Sequence, residues 1–366
     1  MAKIEADDGE RKAEAMAARL FAATIGGWDL IAVYLGDRLG YYRALAGRGA
    51  ATPAKLAAAT RADERYTREW LEQQAVSGIV DVDDVEADAG DRRYSLSPGH
   101  AEALTDRNSL AHIAPLARGF VAVAAMAEDL VAAYRTGRGV PWEAYGDDMR
   151  EAQGDTNRPL FLGPLGTEHL PAIADVHDRL QGDPPARVAD VACGAGWSSI
   201  GIALAYPKVS VDGIDLDEPS IEAARANAET AGVADRVRFE VRDAADPALA
   251  GRYDVVTAFE CIHDLSRPVE VLAAMRGLAA DRGTVLVIDE RVADRFTAPG
   301  DGVERFMYGW SMTCCLPAGL ADRPSAGTGT VMRAGTLERY ARRAGFSGIE
   351  VLPIDHETFR YYRLVP

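Results

Sequence analysis

The sequence predicts an α/β domain with a mostly parallel sheet in its second half, preceded by a mainly helical domain. Three observations carry this. Beyond residue 186, short Val/Ile-rich runs alternate with helical stretches, the pattern of a sheet covered on both faces. The first run meets its helix through a glycine turn, Cys193-Gly194-Ala195-Gly196-Trp197. Ahead of residue 168, Ala- and Leu-rich helical spacing dominates, with a single short hairpin pattern.

Composition narrows the function classes. A chain of 366 residues with 48% hydrophobic and 26% charged residues has the makeup of a globular protein with room for two cores. Its formal charge of −16 repels nucleic acid and anionic membranes. The acidic start, MAKIEADDGERK, lacks an apolar signal core, and no unbroken run approaches the roughly 20 apolar residues of a membrane span. Cys193, Cys261, Cys314 and Cys315 show neither zinc spacing nor a disulfide framework. A reduced cytoplasmic setting and no metal site are therefore expected.

In chain order, residues 13–45 form an Ala/Leu-rich helix whose stripe is Trp28, Ile31, Tyr34, Leu35 and Leu39. Thr52-Pro53 caps and starts a second helix, and a third runs from Asp63 to about Gly78. Residues 79–82 and 93–96 flank an acidic tip and read as a hairpin. Three helices and a hairpin suggest a winged helix. DNA binding is disfavoured, because Asp63, Glu64, Glu69 and Glu72 oppose Arg65 and Arg68, and the wing is acidic. An apolar helix over 109–134 follows, then a Gly- and Pro-punctuated connection over 138–171 and a helix over 168–180. Strands are expected at 187–191, 209–215, 237–243, 253–259 and 284–288, then a helix over 336–344 and a closing hairpin at 349–354 and 359–364.

Ligands of open α/β sheets lie across the carboxyl ends of the strands. Asp190, Asp215 and Asp243 stand at those ends on successive strands, and Asp215 follows the glycine turn by about 20 residues, the spacing at which an acid meets a ribose diol. Asp243 then reaches toward an adenine amino group, with the Ala244 N–H on the ring. A dinucleotide site is the nearest competitor, but it wants glycine where Ser199 stands.

Asp-Val-Ala-Cys-Gly-Ala-Gly, Gly-Ile-Asp-Leu-Asp and Arg-Asp-Ala-Ala-Asp resemble the motifs of class I S-adenosylmethionine-dependent methyltransferases. The resemblance implies a Rossmann-like domain over 168–366, with seven strands and a terminal antiparallel hairpin. Its S-adenosylmethionine, released as S-adenosylhomocysteine, falls to Asp190, Ala192, Gly194, Gly196, Asp215, Leu216, Asp243, Ala244, Phe259 and Glu260. Ala192 departs from the pattern, standing where the family usually has the first glycine of its loop. The helical front half, 1–167, is similar to that of small-molecule O-methyltransferases, in which it builds a dimer and roofs the substrate pocket.

In that group a His-Asp pair follows the fourth strand, and its histidine deprotonates the acceptor hydroxyl; His263-Asp264 matches it. A positioned imidazole can take a phenolic proton near neutral pH. Asp289 and Glu290 end the fifth strand on opposite faces, so one of them is expected to orient the imidazole. Met307, Trp310 and Met312 read either as core or as a wall for an aromatic acceptor. The reading is O-methylation of a small molecule by an enzyme expected to form a homodimer through its N-terminal domain, with no nucleic-acid or membrane partner. Its alternatives are methylation at C, N or S, a cofactor-binding scaffold without methylation, and a DNA-binding regulator.

Overall fold

Gly40 decides how the chain begins. Its left-handed backbone (φ 73°) divides the helix expected over 13–45 into α1 (Asp8–Arg38) and α2 (Tyr41–Arg48). The structure is a computed structural model and describes residues 8–244, 246 and 253–366. Residues 1–7 of the acidic start and Ala245 of the Arg-Asp-Ala-Ala-Asp motif lie outside the described residues. Contacts group the chain into two compact units, Met1–Val121 and Ala122–Pro366.

In the first unit, Thr52 accepts from the Lys55 N–H to cap α3 (Pro53–Thr60), and Asp63 accepts from Tyr66 to cap α4 (Glu64–Val76). Strands β1 (Asp81–Val82) and β2 (Tyr94–Ser95) pair antiparallel, and Ala51 bridges to Tyr94. Helix α5 (Pro98–Thr105) is capped by Ser97. Tyr41, Tyr42, Leu45, Leu56, Trp70, Leu71 and Tyr94 fill the core, and Trp70 Nε1 donates to the Ala32 carbonyl at 2.8 Å. This is the winged-helix order expected from the sequence.

Helix α1 leaves much of the expected stripe uncovered. Trp28 and Leu35 are exposed, as are Met16, Leu20, Phe21 and Ile25 of the same helix and Leu39 just after it. The helix is also long and apolar enough to cross a membrane. Counting unbroken apolar runs overlooks it, because Arg19 and Asp29 interrupt the run.

The boundary between the units falls within α6 (Pro115–Ala125). The helix expected over 109–134 is in fact α6 and α7 (Ala127–Thr136), parted at Met126, with Pro115 as the first helical residue. The expected connection over 138–171 holds α8 (Gly146–Leu162), which tolerates Gly154 and Pro159. A Cβ on Gly154 would stand 3.1 Å from the Ala195 methyl, so close packing favours the glycine. A π-helical turn (Leu165–His169) and α9 (Ala174–Gln181) lead into the sheet.

The sheet alternates β3 (Arg187–Val191), α10 (Trp197–Ala205), β4 (Ser210–Asp215), α11 (Glu218–Thr230), β5 (Val237–Val241), β6 (Tyr253–Phe259), α12 (Pro268–Leu278) and β7 (Ala279–Glu290). Then come α13 (Gly302–Trp310), a π-helical turn (Ser311–Cys315), α14 (Leu316–Gly319), α15 (Ala334–Arg343), β8 (Gly348–Val351) and β9 (Phe359–Val365). The strand order is β5-β4-β3-β6-β7-β9-β8, parallel except where β9 pairs with β7 and β8. Alternation along each strand builds two cores. Val188, Val255 and Leu286 face one, whereas Ala189, Val256 and Val287 face the other.

Candidate active site

Strand β3 has β4 on one side and β6 on the other, so the chain reverses its winding there and opens a crevice at the carboxyl ends. Asp190 is buried below it. Its carboxylate accepts from the Ser198 and Ser199 hydroxyls at 2.6 Å each and from Thr257 at 2.8 Å. Burial pushes its pKa up, and the hydroxyls oppose that. Asp190 thus ties β3, β6 and the start of α10 together.

The turn above it is strained. Ala192 has φ 55°, a left-handed conformation that a Cβ disfavours. Gly194 (φ 50°) has open space where a Cβ would stand, whereas a Cβ on Gly196 (φ 78°) would strike the Phe239 ring. Asp215 holds the turn, accepting from the Gly194 N–H at 2.8 Å and from the Asp217 N–H at 2.9 Å. Each oxygen keeps a further lone pair. Leu216 beside it is exposed. Asp243, half-exposed, pairs with Arg267 at 2.8 Å, and Ala244 is buried next to it. Phe259 is buried edge-on to Phe161, with ring centres 5.2 Å apart.

Glu260 also has a left-handed backbone, at φ 52°. Its Oε2 accepts from Asn157 at 2.8 Å and Gln153 at 3.3 Å, both on α8, while Oε1 is buried without a hydrogen-bond partner among the described residues. Burial pushes its pKa up to about 7. Further along α8, Arg150 grips Asp217 through two bonds, at 2.8 and 3.0 Å. Sequence reasoning missed all three α8 residues. Their signal is the spacing 150, 153, 157, which puts them on one face of a helix.

His263 is buried, and its Nδ1 lies 2.7 Å from Asp289 Oδ1. Burial alone would lower the imidazole pKa, but the Asp289 carboxylate more than offsets this and raises it well above the usual value. Glu290, also buried, has its pKa raised by burial and by the neighbouring Glu260 charge. Of the two strand-end acids, then, Asp289 takes the imidazole. Trp310 and Cys315 pack with Val140, Tyr145, Met149 and Cys314, and the Tyr145 hydroxyl donates to the Thr313 carbonyl at 2.7 Å. Met307 is buried, whereas Met312 is exposed and its carbonyl accepts from Tyr134. His356 accepts the Thr358 and Phe359 N–H groups and so caps the closing hairpin.

Residues 183–312 match the family described as "Methyltransferase domain", and residues 30–106 match the "Rv2258c-like winged HTH domain". Ubiquinone biosynthesis O-methyltransferase of Thiobacillus denitrificans is 30% identical over 182 residues, covering 49% of this chain and 72% of that protein. The chain belongs to the class I S-adenosylmethionine-dependent methyltransferases. Ajmaline N-methyltransferase of Rauvolfia serpentina is 29% identical to it over 105 residues, 28% of this chain and 36% of that one. The chain spans half or less of the length of the first curated relatives it matches. In fold it is similar to mitomycin 7-O-methyltransferase (TM-score 0.66, 20% identity, 97% and 100% of the two chains covered). Human N-acetylserotonin methyltransferase, solved in complex with S-adenosylmethionine, gives a TM-score of 0.66 at 15% identity, with both chains fully covered.

Proposed function

We propose that this methyltransferase moves a methyl group from S-adenosylmethionine to a hydroxyl of a small molecule, with His263 as the base. The observation that carries the reading is the buried His263–Asp289 pair at 2.7 Å, beside the cleft that the Gly194 turn and Asp215 frame. The cofactor suits the residues present. Gly194 leaves room for close approach, Asp215 retains lone pairs for a ribose diol, and the unpartnered Glu260 Oε1 suits an ammonium group. When bound, S-adenosylmethionine supplies an electrophilic methyl on a sulfonium.

The chain's part is proton handling and placement. Asp289 accepts from Nδ1–H and so fixes the tautomer that leaves Nε2 free. Nε2 would take the proton of the acceptor hydroxyl and so make its oxygen the nucleophile, and Asp289 would stabilise the imidazolium formed. Trp310 gives the acceptor an apolar wall, with Met307 and Met312 belonging to the same segment. His263→Ala is expected to slow the reaction by roughly 10²–10⁴-fold while leaving cofactor affinity nearly unchanged. His263→Gln separates packing from basicity: if Gln restores the rate, the residue only positions the acceptor and the base assignment fails. A screen of small-molecule pools for mass gain of one methyl identifies the acceptor, and an amine product would move the reading to N-methylation, the activity in the name of the ajmaline relative.

The same reading takes the enzyme as a cytoplasmic homodimer joined through the front of the chain. Its support is the exposed apolar face of α1 together with the winged-helix match.

A further inference from the structure

The free edge of His263 faces more than an acceptor. With Nδ1 committed to Asp289, Nε2 is the open ring nitrogen, and the Cys315 thiol is in hydrogen-bond contact with the imidazole. One ligand atom each from His263, Asp264 and Cys315 lies within 4.8 Å of the other two. His263 is buried and the other two are half-buried, so the group is held firmly but can be reached. Imidazole nitrogen, thiolate sulfur and carboxylate oxygen are the three donor types that zinc takes, at about 2.0–2.3 Å. The backing also fits: Asp289 behind the ring is the carboxylate that metal-bound histidines use to fix their tautomer.

A second observation is independent of that geometry. Glu260, Asp289 and Glu290 each keep a buried carboxylate oxygen without a hydrogen-bond partner among the described residues: Oε1, Oδ2 and Oε2. Together with Asp264, these acids all act on His263 or feel its charge. The centre is short of positive charge. Cys315 also ends a π-helical turn, a form that recurs at functional sites.

We propose that His263, Asp264 and Cys315 bind one thiophilic divalent cation of the zinc type, with a fourth position left open. Binding displaces the thiol proton of Cys315, and those of His263 and Asp264 where present, so affinity rises with pH. The ligand set stands on its own geometry. One consequence rests on the proposed function: a cation on Nε2 occupies the lone pair that would take the acceptor proton, so the metal-bound enzyme is inactive until a chelator frees it.

Cobalt(II) added to the intact chain tests the site without any methyl transfer. The expected result is one equivalent bound, with a thiolate-to-cobalt charge-transfer band and the intense visible bands of tetrahedral coordination. Cys315→Ser abolishes the charge-transfer band, and His263→Gln and Asp264→Asn weaken zinc binding by more than about tenfold in calorimetry. Cys314→Ser keeps the band, and circular dichroism checks that each variant is folded. No charge-transfer band, or one that survives Cys315→Ser, overturns the proposal. If zinc binds as described but fails to inhibit methyl transfer, the base assignment falls and the metal site stands. If His263→Ala shows the expected rate loss but cobalt gives no thiolate band, the reverse holds.

Discussion

Ala192 and Glu260 are two left-handed residues with side chains at the same cleft, and each conformation costs about 1–3 kcal/mol. For Ala192 the cost is removable. Glycine relieves the Cβ clash but gives the unfolded chain more freedom, so Ala192→Gly should stabilise the protein by up to about 1 kcal/mol in urea unfolding. A loss of stability would show that the methyl makes a contact worth more than the strain. Glu260, proposed to meet the cofactor's ammonium group, carries a cost of its own to the fold. Its pKa rises from 4.5 to about 7, so across that window the native chain keeps a proton that the unfolded chain has lost. Stability therefore falls as pH rises from 4.5 to 7. Glu260→Gln should flatten that fall, stabilise the ligand-free protein at pH 8 by about 1–3 kcal/mol, and weaken S-adenosylmethionine binding in calorimetry. His263 gives the opposite kind of signal. Because Asp289 raises its pKa, the neutral imidazole forms only above the ordinary imidazole range. The rate should rise with pH to a midpoint above about 6.5, and Asp289→Asn should move that midpoint down. An unmoved midpoint would assign the titration to another group. The unusual Ala192 was legible in the sequence because a glycine was expected there. The backbone of Glu260 was not, since its partners come from a helix about a hundred residues earlier.

That helix is α8, and it marks the limit of sequence reading at the scale of elements. The strands of the sheet and the acids at their ends were legible because a period of two and a glycine turn leave a local mark. Gly146, Gly154, Pro159 and Gly163 gave the stretch the look of a connection, although Gly154 answers to the Ala195 methyl rather than to a turn. The π-helical turn at Ser311–Cys315 left no periodic signal either, and it is what carries Cys315 to His263. Helix α8 supplies Arg150 to Asp217, Gln153 and Asn157 to Glu260, and Phe161 to the core beneath Phe259. A fragment of residues 122–366 should accordingly fold and bind S-adenosylmethionine. One of residues 168–366 loses those partners and bares the face where Leu160 and Phe161 packed, and it should aggregate or bind at least tenfold more weakly, a loss of about 1.4 kcal/mol. Equal calorimetric affinity for both fragments would remove α8 from the cofactor site.

At the scale of the whole chain, the fold class and family were legible while the surface of α1 was not. Periodicity reports that Trp28, Leu35 and Leu39 lie on one side of a helix, but not whether anything in the same chain covers that side. Met16, Leu20, Phe21, Ile25 and Trp28 extend the uncovered stripe over about three turns. Exposed apolar area of that kind marks a partner surface, and the same helix is long and apolar enough for a membrane. The formal charge of −16 weighs against an anionic bilayer and does not oppose a second copy meeting along an apolar seam. Sedimentation of the intact chain at about ten micromolar should therefore give twice the chain mass. Replacing Phe21 and Ile25 together by Asp should return it to the monomer, because burying two unpaired carboxylates in such a seam is strongly unfavourable. The variant should keep its S-adenosylmethionine affinity, since the proposed cofactor residues lie beyond residue 146. If the intact chain instead floats with neutral phospholipid vesicles and the double Asp variant does not, α1 is a membrane element and the dimer reading fails.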